Sequence, residues 1–181
     1  MTRGGQSSII RNMVLGLRKM KYDQYQELKK LMEREFFFYL DHIECNENKD
    51  ICIKASFLRA CDNGIVSMDF DNAGDGELHV LQILAAIYLS CPDQCKVVLI
   101  DNPEAYLHPE FQRKLVRVLK NIQKEMKIQI ILATHSQEII DECEKDEIIV
   151  IEDEEVLKRK EKNTGDTSKS EMTGEQLSLE F

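Results

Sequence analysis

From Lys96 onward the chain alternates between two kinds of pattern, and this alternation restricts the fold more than any other feature. Residues 96–101 (KVVLID) are a continuous apolar run closed by an acid, as in a parallel strand buried on both faces. Pro109 stands where a first helical turn begins, and Phe111, Leu115, Val118, Leu119, Ile122 and Met126 follow at helical spacing. Residues 128–133 (IQIILA) read as a second buried strand, 136–144 as a short helix and 147–151 (EIIVI) as a third strand. Strand, helix, strand, helix, strand in this order implies right-handed crossovers and a parallel sheet with flanking helices, an α/β fold. Asp101 then falls at the C-terminal edge of a strand, where such sheets place their ligands.

Upstream, residues 8–20 and 22–40 read as helices. Ile9, Ile10, Met13, Val14, Leu17 and Met20 share one face, as do Tyr22, Tyr25, Leu28, Met32 and Phe36. Residues 51–58 and 65–70 alternate in part around Asp62-Asn63-Gly64 and suggest a hairpin. A polar segment, 71–77, runs into an apolar helix over 77–90. After about residue 158 the composition turns to Gly, Ser, Thr, Lys and Glu, and a disordered tail is expected. The chain thus divides into a helical lobe (1–48), an α/β core (49–157) and a tail (158–181).

The net charge of −9 argues against a grip on DNA or RNA by the whole surface, although a local basic stripe is compatible with it. No apolar run is long enough to span a membrane, and the start has no secretory h-region. The six cysteines (45, 52, 61, 91, 95, 143) form no Cys-x-x-Cys pair, so reduced thiols in a cytoplasmic protein are expected rather than a zinc site.

Three strings carry the chemistry. VVLIDNPEAYLHPEFQRKLVRVL resembles the Walker B and D-loop region of AAA-like ABC-type ATPases of the OLD and SMC-related kind, through Asp101, Pro103, Glu104, Leu107, His108 and Pro109. IILATHS, ending in Thr134-His135-Ser136, resembles the switch or H-loop of the same family, and Gly74-Asp75-Gly76-Glu77 resembles its signature turn. The resemblance covers roughly residues 8–157 and implies part of a three-layer P-loop NTPase, with parallel strands, flanking helices and an N-terminal helical lobe. It implies ATP and Mg²⁺ as ligands, with Asp101 as the metal-binding acid. Asn102, Glu104 and His135 would stand at the reacting phosphate, and Gly74, Asp75, Gly76, Glu77 and His108 around the nucleotide. Physically, a helix N-terminus offers N–H groups to a phosphate, and an imidazole at a strand end can donate to one.

The sequence departs from that pattern in three places. The phosphate loop G-x-x-x-x-G-K-[ST] (Walker A) does not occur in these 181 residues, nor does the strand that leads into it or a glutamine-loop equivalent. The residue after Asp101 is Asn102, whose amide cannot take a proton, and Gly74 stands in place of the signature serine. Two readings therefore stay open. One is an ATPase part completed by a Walker A-bearing N-terminal half or a homologous subunit in a dimeric head, with nucleic acid engaged through the assembly. The other is a degenerate, non-catalytic interaction or regulatory protein. Separately, Gln176-Leu177-Ser178-Leu179-Glu180-Phe181 resembles the peptides by which bacterial proteins bind the replication sliding clamp.

Overall fold

The computed structural model describes residues 3–46, 52–61, 64–90, 96–151 and 177–180. Two helices open the chain, α1 (Arg3–Met20) and α2 (Tyr22–Phe36). Helix α2 buries Tyr25, Leu28, Leu31, Met32 and Phe36, one stripe at three- and four-residue spacing. The helix expected over 22–40 stops early. Phe37 takes the left-handed conformation (φ 55°), and the chain turns out after it. The next element is a strand, β1 (Tyr39–Asn46), which pairs with β2 (Cys52–Cys61), itself paired with β3 (Gly64–Asp69). All three run antiparallel, and β2–β3 is the expected hairpin, closed by Cys61 opposite Gly64. Its turn residues 62 and 63 lie outside the described residues. The segment expected to be a helical lobe (1–48) therefore ends in a strand, β1, whose partners β2 and β3 lie beyond it. Phe38 stacks on Phe57 at 4.8 Å between ring centroids, and both are buried with Phe70.

Helix α3 (Asp75–Ser90) packs against α1 and α2 and buries Leu78, Val80, Leu81, Leu84, Ala85, Ile87 and Tyr88. Apolar residues lie on most of its circumference, as expected of a helix enclosed between layers. The α/β part continues with β4 (Val97–Asp101), α4 (Pro109–Met126), β5 (Gln129–Thr134), α5 (Gln137–Ile140) and β6 (Ile148–Val150). Strands β4 and β5 are parallel, in register from Val97 opposite Gln129 to Asp101 opposite Ala133. Helix α4 buries Leu115, Val116, Val118, Leu119 and Ile122 in the core that also holds Ile130 and Leu132. Phe36 meets Phe111 edge-on at 5.9 Å, which joins α2 to α4.

The second sheet has the order β4-β5-β7-β6. Strand β7 (Leu177–Glu180) comes from the segment expected to be disordered, and it lies antiparallel to both neighbours. Residues 158–176, the rest of that segment up to Gln176, and Phe181 lie outside the described residues. Strand β6 therefore points the same way as β5, as the alternation requires, but one position away from it. Among the described residues, one face of this sheet is covered and the other is not. Val98 and Ile100 pack on the core, while Val97, Leu99 (74% exposed) and Ile149 stand in the open. Among the described residues no helix is long and apolar enough to cross a membrane.

Candidate functional site

Asp101 and His135 leave neighbouring strands at the same edge of the sheet. Asp101 is the exposed last residue of β4, and its partner across the ladder, Ala133, lies two residues before His135. Asn102 extends the ladder by one bond, its N–H donating to the Ala133 carbonyl at 2.9 Å. It does so in the left-handed region (φ 48°), which asparagine tolerates better than most residues, and the chain is thereby turned off the sheet. Ala105 N–H to Asn102 O (3.1 Å) and Leu107 N–H to Glu104 O (3.0 Å) then close a tight loop, with Tyr106 also left-handed at φ 63°.

That loop buries Glu104 and aims it at His135. Glu104 Oε1 accepts the His135 backbone N–H at 3.2 Å and lies 3.2 Å from His135 Nδ1. The other carboxylate oxygen, Oε2, is buried and has no hydrogen-bond partner among the described residues. A second tie runs in parallel. Gln112 of α4 donates to the Leu107 carbonyl at 2.9 Å and accepts from the Ser136 hydroxyl, so the loops after β4 and β5 are fastened twice.

The turn before α3 is held from two sides. Asp69 accepts the Asp71 N–H and, with Asp71, pairs with Arg11 of α1, while the Ser7 hydroxyl donates to Asp71 Oδ1 at 2.6 Å. Glu77 accepts the Gly74 N–H at 2.7 Å and two contacts from Arg59 Nη2 at 2.7 and 2.9 Å. Its carboxylate is thus spent on closing the first turn of α3, while Asp75 is exposed. Gly76 meets the loop after β4 directly. A Cβ there would lie 2.6 Å from the Tyr106 carbonyl oxygen and 3.2 Å from Leu107 Cδ2, so a side chain would push the two apart. His79, one turn on, packs edge-on to Tyr106 at 6.2 Å. Burial lowers its pKa, against the backbone oxygens of Pro103 and Asn102 and the charge of Glu104, which raise it.

His108, expected beside the nucleotide, stands directly before α4. It is exposed, and its Nδ1 accepts the Glu110 N–H at 3.4 Å as the cap of α4, with Pro109 in the first helical position. The structure thus brings together Asp101, Asn102, Glu104 and His135, lays Gly76 against their loop, and turns His108 toward its own helix. Ser7, Arg11, Arg59 and Gln112 escape sequence reasoning; Arg11 and Arg59 meet partners 58 and 18 residues away, with no local signal. Among the described residues no three His, Cys, Asp or Glu side chains form a metal cluster. Asp101 is a single carboxylate, a donor set that fits a Mg²⁺ ion carried mainly by phosphate oxygens and water. A groove of ≈ 420 Å³ between α3 and β4, lined by His79, Ile83, Ile87, Val97 and Leu99, opens beside it.

No curated protein matches the chain. A solved structure from work on "ATP-driven dimerization and DNA stimulated activation of SMC ATPases" is similar, with a TM-score of 0.57 over 94% of this chain and 89% of that one. At 10% identity this likeness concerns the fold alone. Residues 28–141 match the family described as "AAA domain, putative AbiEii toxin, Type IV TA system". Because that match spans more than half of the sequence, from α2 to α5, and takes in the loops after β4 and β5, the chain belongs to this AAA-domain family.

Proposed function

We propose that the chain contributes one half of an ATP-hydrolysing site, completed by a segment that carries the Walker A loop, in the same polypeptide or in a partner. The observation that carries this reading is the placing of Asp101 and His135 on adjacent strand ends with Glu104 tied to His135. Asp101 would hold Mg²⁺, which when bound neutralises charge on the β- and γ-phosphates. The exposed His135 imidazole donates to a γ-phosphate oxygen. As water attacks the γ-phosphorus and the bond to the ADP oxygen breaks, the proton lost by the water goes to the Glu104 carboxylate. Asn102 positions that water but cannot accept its proton.

The first turn of α3, with Gly76, presents backbone N–H groups suited to a phosphate held by a second head. Glu77 and His108 serve by holding α3 and α4 in place. The SMC neighbour's ATP-driven dimerization supports a dimeric head, and its DNA-stimulated activation suggests nucleic acid as a partner of the assembly. The Gln176–Phe181 peptide is a candidate clamp-binding motif that would have to leave the sheet to act. Unchanged clamp pull-down after deletion of residues 176–181 would dispose of it.

ATP binding and turnover, measured with and without a Walker A-bearing half, test the reading. Turnover should require both components, vanish with Asp101→Ala, and fall about 100-fold or more with His135→Ala. A mixture that neither binds nor hydrolyses ATP refutes it. Asn102 specifically favours a second reading, a regulatory half-site that binds nucleotide without turnover; ATP binding with no hydrolysis in the same assay would select it.

A further inference from the structure

Strand β7 occupies a central position that its sequence would not suit if both faces of the sheet were covered. Strands β5 and β6 are consecutive, point the same way and are joined through α5, yet they do not pair, because one strand position lies between them. A gap inside a sheet must be filled, since unpaired N–H and C=O groups there are costly. Leu177–Glu180 fills it with four residues, antiparallel to both neighbours. Among the described residues it pairs with Ile131–Thr134 of the six-residue β5.

The composition of β7 is also unusual for a central strand. Strands covered on both faces read as unbroken apolar runs, as VVLI in β4 and IIL in β5 do. Leu177-Ser178-Leu179-Glu180 alternates, so Ser178 and Glu180 share one face and the leucines the other. Such a strand suits a sheet with one face in water, which is the present condition of Val97, Leu99 and Ile149. If both faces were covered, a glutamate at position 180 would be buried in a central strand, a costly place for a carboxylate.

We propose that β7 is a removable stopper. The slot between β5 and β6 receives a strand from the Walker A-bearing half, and residues 177–180 leave when that half docks and covers the open face. The inference rests on the half-site reading and adds the place and manner of docking. The incoming strand runs parallel to β5 and β6 and is apolar throughout. Assembly of the ATP site and release of the C-terminal peptide are then one event.

Two probes test this. The first is a labelled synthetic peptide, residues 175–181, offered to the intact chain and to a chain shortened after Gln176. The second is the strand–G-x-x-x-x-G-K-[ST]–helix segment of a complete head of the same family. The shortened chain should bind the peptide at least tenfold more tightly than the intact chain, and the segment should expel it. On the intact chain, hydrogen exchange gives the same answer without any deletion. Adding the segment should strip protection from 177–180 while 97–101 stays protected. Equal peptide binding by both chains, or 177–180 still protected at any concentration of the segment, overturns the proposal. ATP turnover in the same mixture is scored apart. Turnover with 177–180 still protected overturns the stopper and leaves the ATP site standing; loss of protection without turnover does the reverse.

Discussion

At the scale of single residues, Glu104 and Gly76 carry the sharpest consequences. Glu104→Gln keeps an oxygen for the His135 N–H and removes the proton acceptor. The completed site should then lose turnover by about 10²–10⁴-fold with ATP affinity unchanged; a loss of affinity instead would make Glu104 a binding residue. Gly76→Ala sets two effects of opposite sign against each other. Alanine favours a helix over glycine by about 1 kcal/mol, but its Cβ would meet the Tyr106 carbonyl at 2.6 Å. Overpacking against backbone costs about 1–3 kcal/mol, so the melting temperature should drop by several degrees; a rise would mean that the two loops do not touch. Asp101 and His135 were legible in the sequence because each closes an apolar strand. The Glu104–His135 contact was not, because it joins residues 31 apart that meet only once β4 and β5 pair. His108 was legible only as part of a string; its capping bond depends on the helix that begins beside it.

At the scale of elements, legibility tracked the strength of the local signal. Helix α4 announces itself by Pro109 at its start and a regular apolar stripe, and β4 and β5 by their unbroken runs. The end of α2 does not, because it is closed by Phe37 in a conformation that usually falls to glycine or asparagine, within three consecutive phenylalanines. Strand β1 was hidden behind that ending. Strand β7 depends wholly on partners far away in the sequence, and its polar surroundings masked four residues of strand. Helix α3 also carries a pH dependence. Burial holds the His79 pKa below the ordinary imidazole value of about 6.5. In the unfolded chain this ring takes up its proton first, so its contribution to stability is full above about pH 6.5 and is lost as pH falls below it. Glu142, whose pKa is lowered by its bond from Arg117, adds a loss confined to the more acidic carboxylate range. A melting-temperature profile should therefore show a decline beginning near pH 6.5 that His79→Gln removes, with the acid limb retained. An unaltered profile in that variant would assign the upper decline elsewhere.

At the scale of the whole molecule, the two sheets make different demands on their surroundings. The antiparallel sheet β1-β2-β3 can leave one face in water, whereas sheets built on parallel crossovers are ordinarily covered on both. Here the sheet that carries Asp101 shows Val97, Leu99 and Ile149 to solvent, next to the groove along α3. An apolar surface of this kind suits a contact site, and on the half-site reading proposed above its position beside Asp101 makes covering it and completing the site parts of the same step. Leu99 separates folding from assembly because it lies on β4 with its side chain largely outside the core. Leu99→Glu should leave the stability of the isolated chain within about 0.5 kcal/mol, as surface substitutions do. It should nonetheless abolish association with the Walker A-bearing half in sedimentation velocity, and ATP turnover with it. Thermal melting of the same variant distinguishes the alternatives. A large drop would place Leu99 in the chain's own core, and unimpaired association would mean that the completing half covers some other surface.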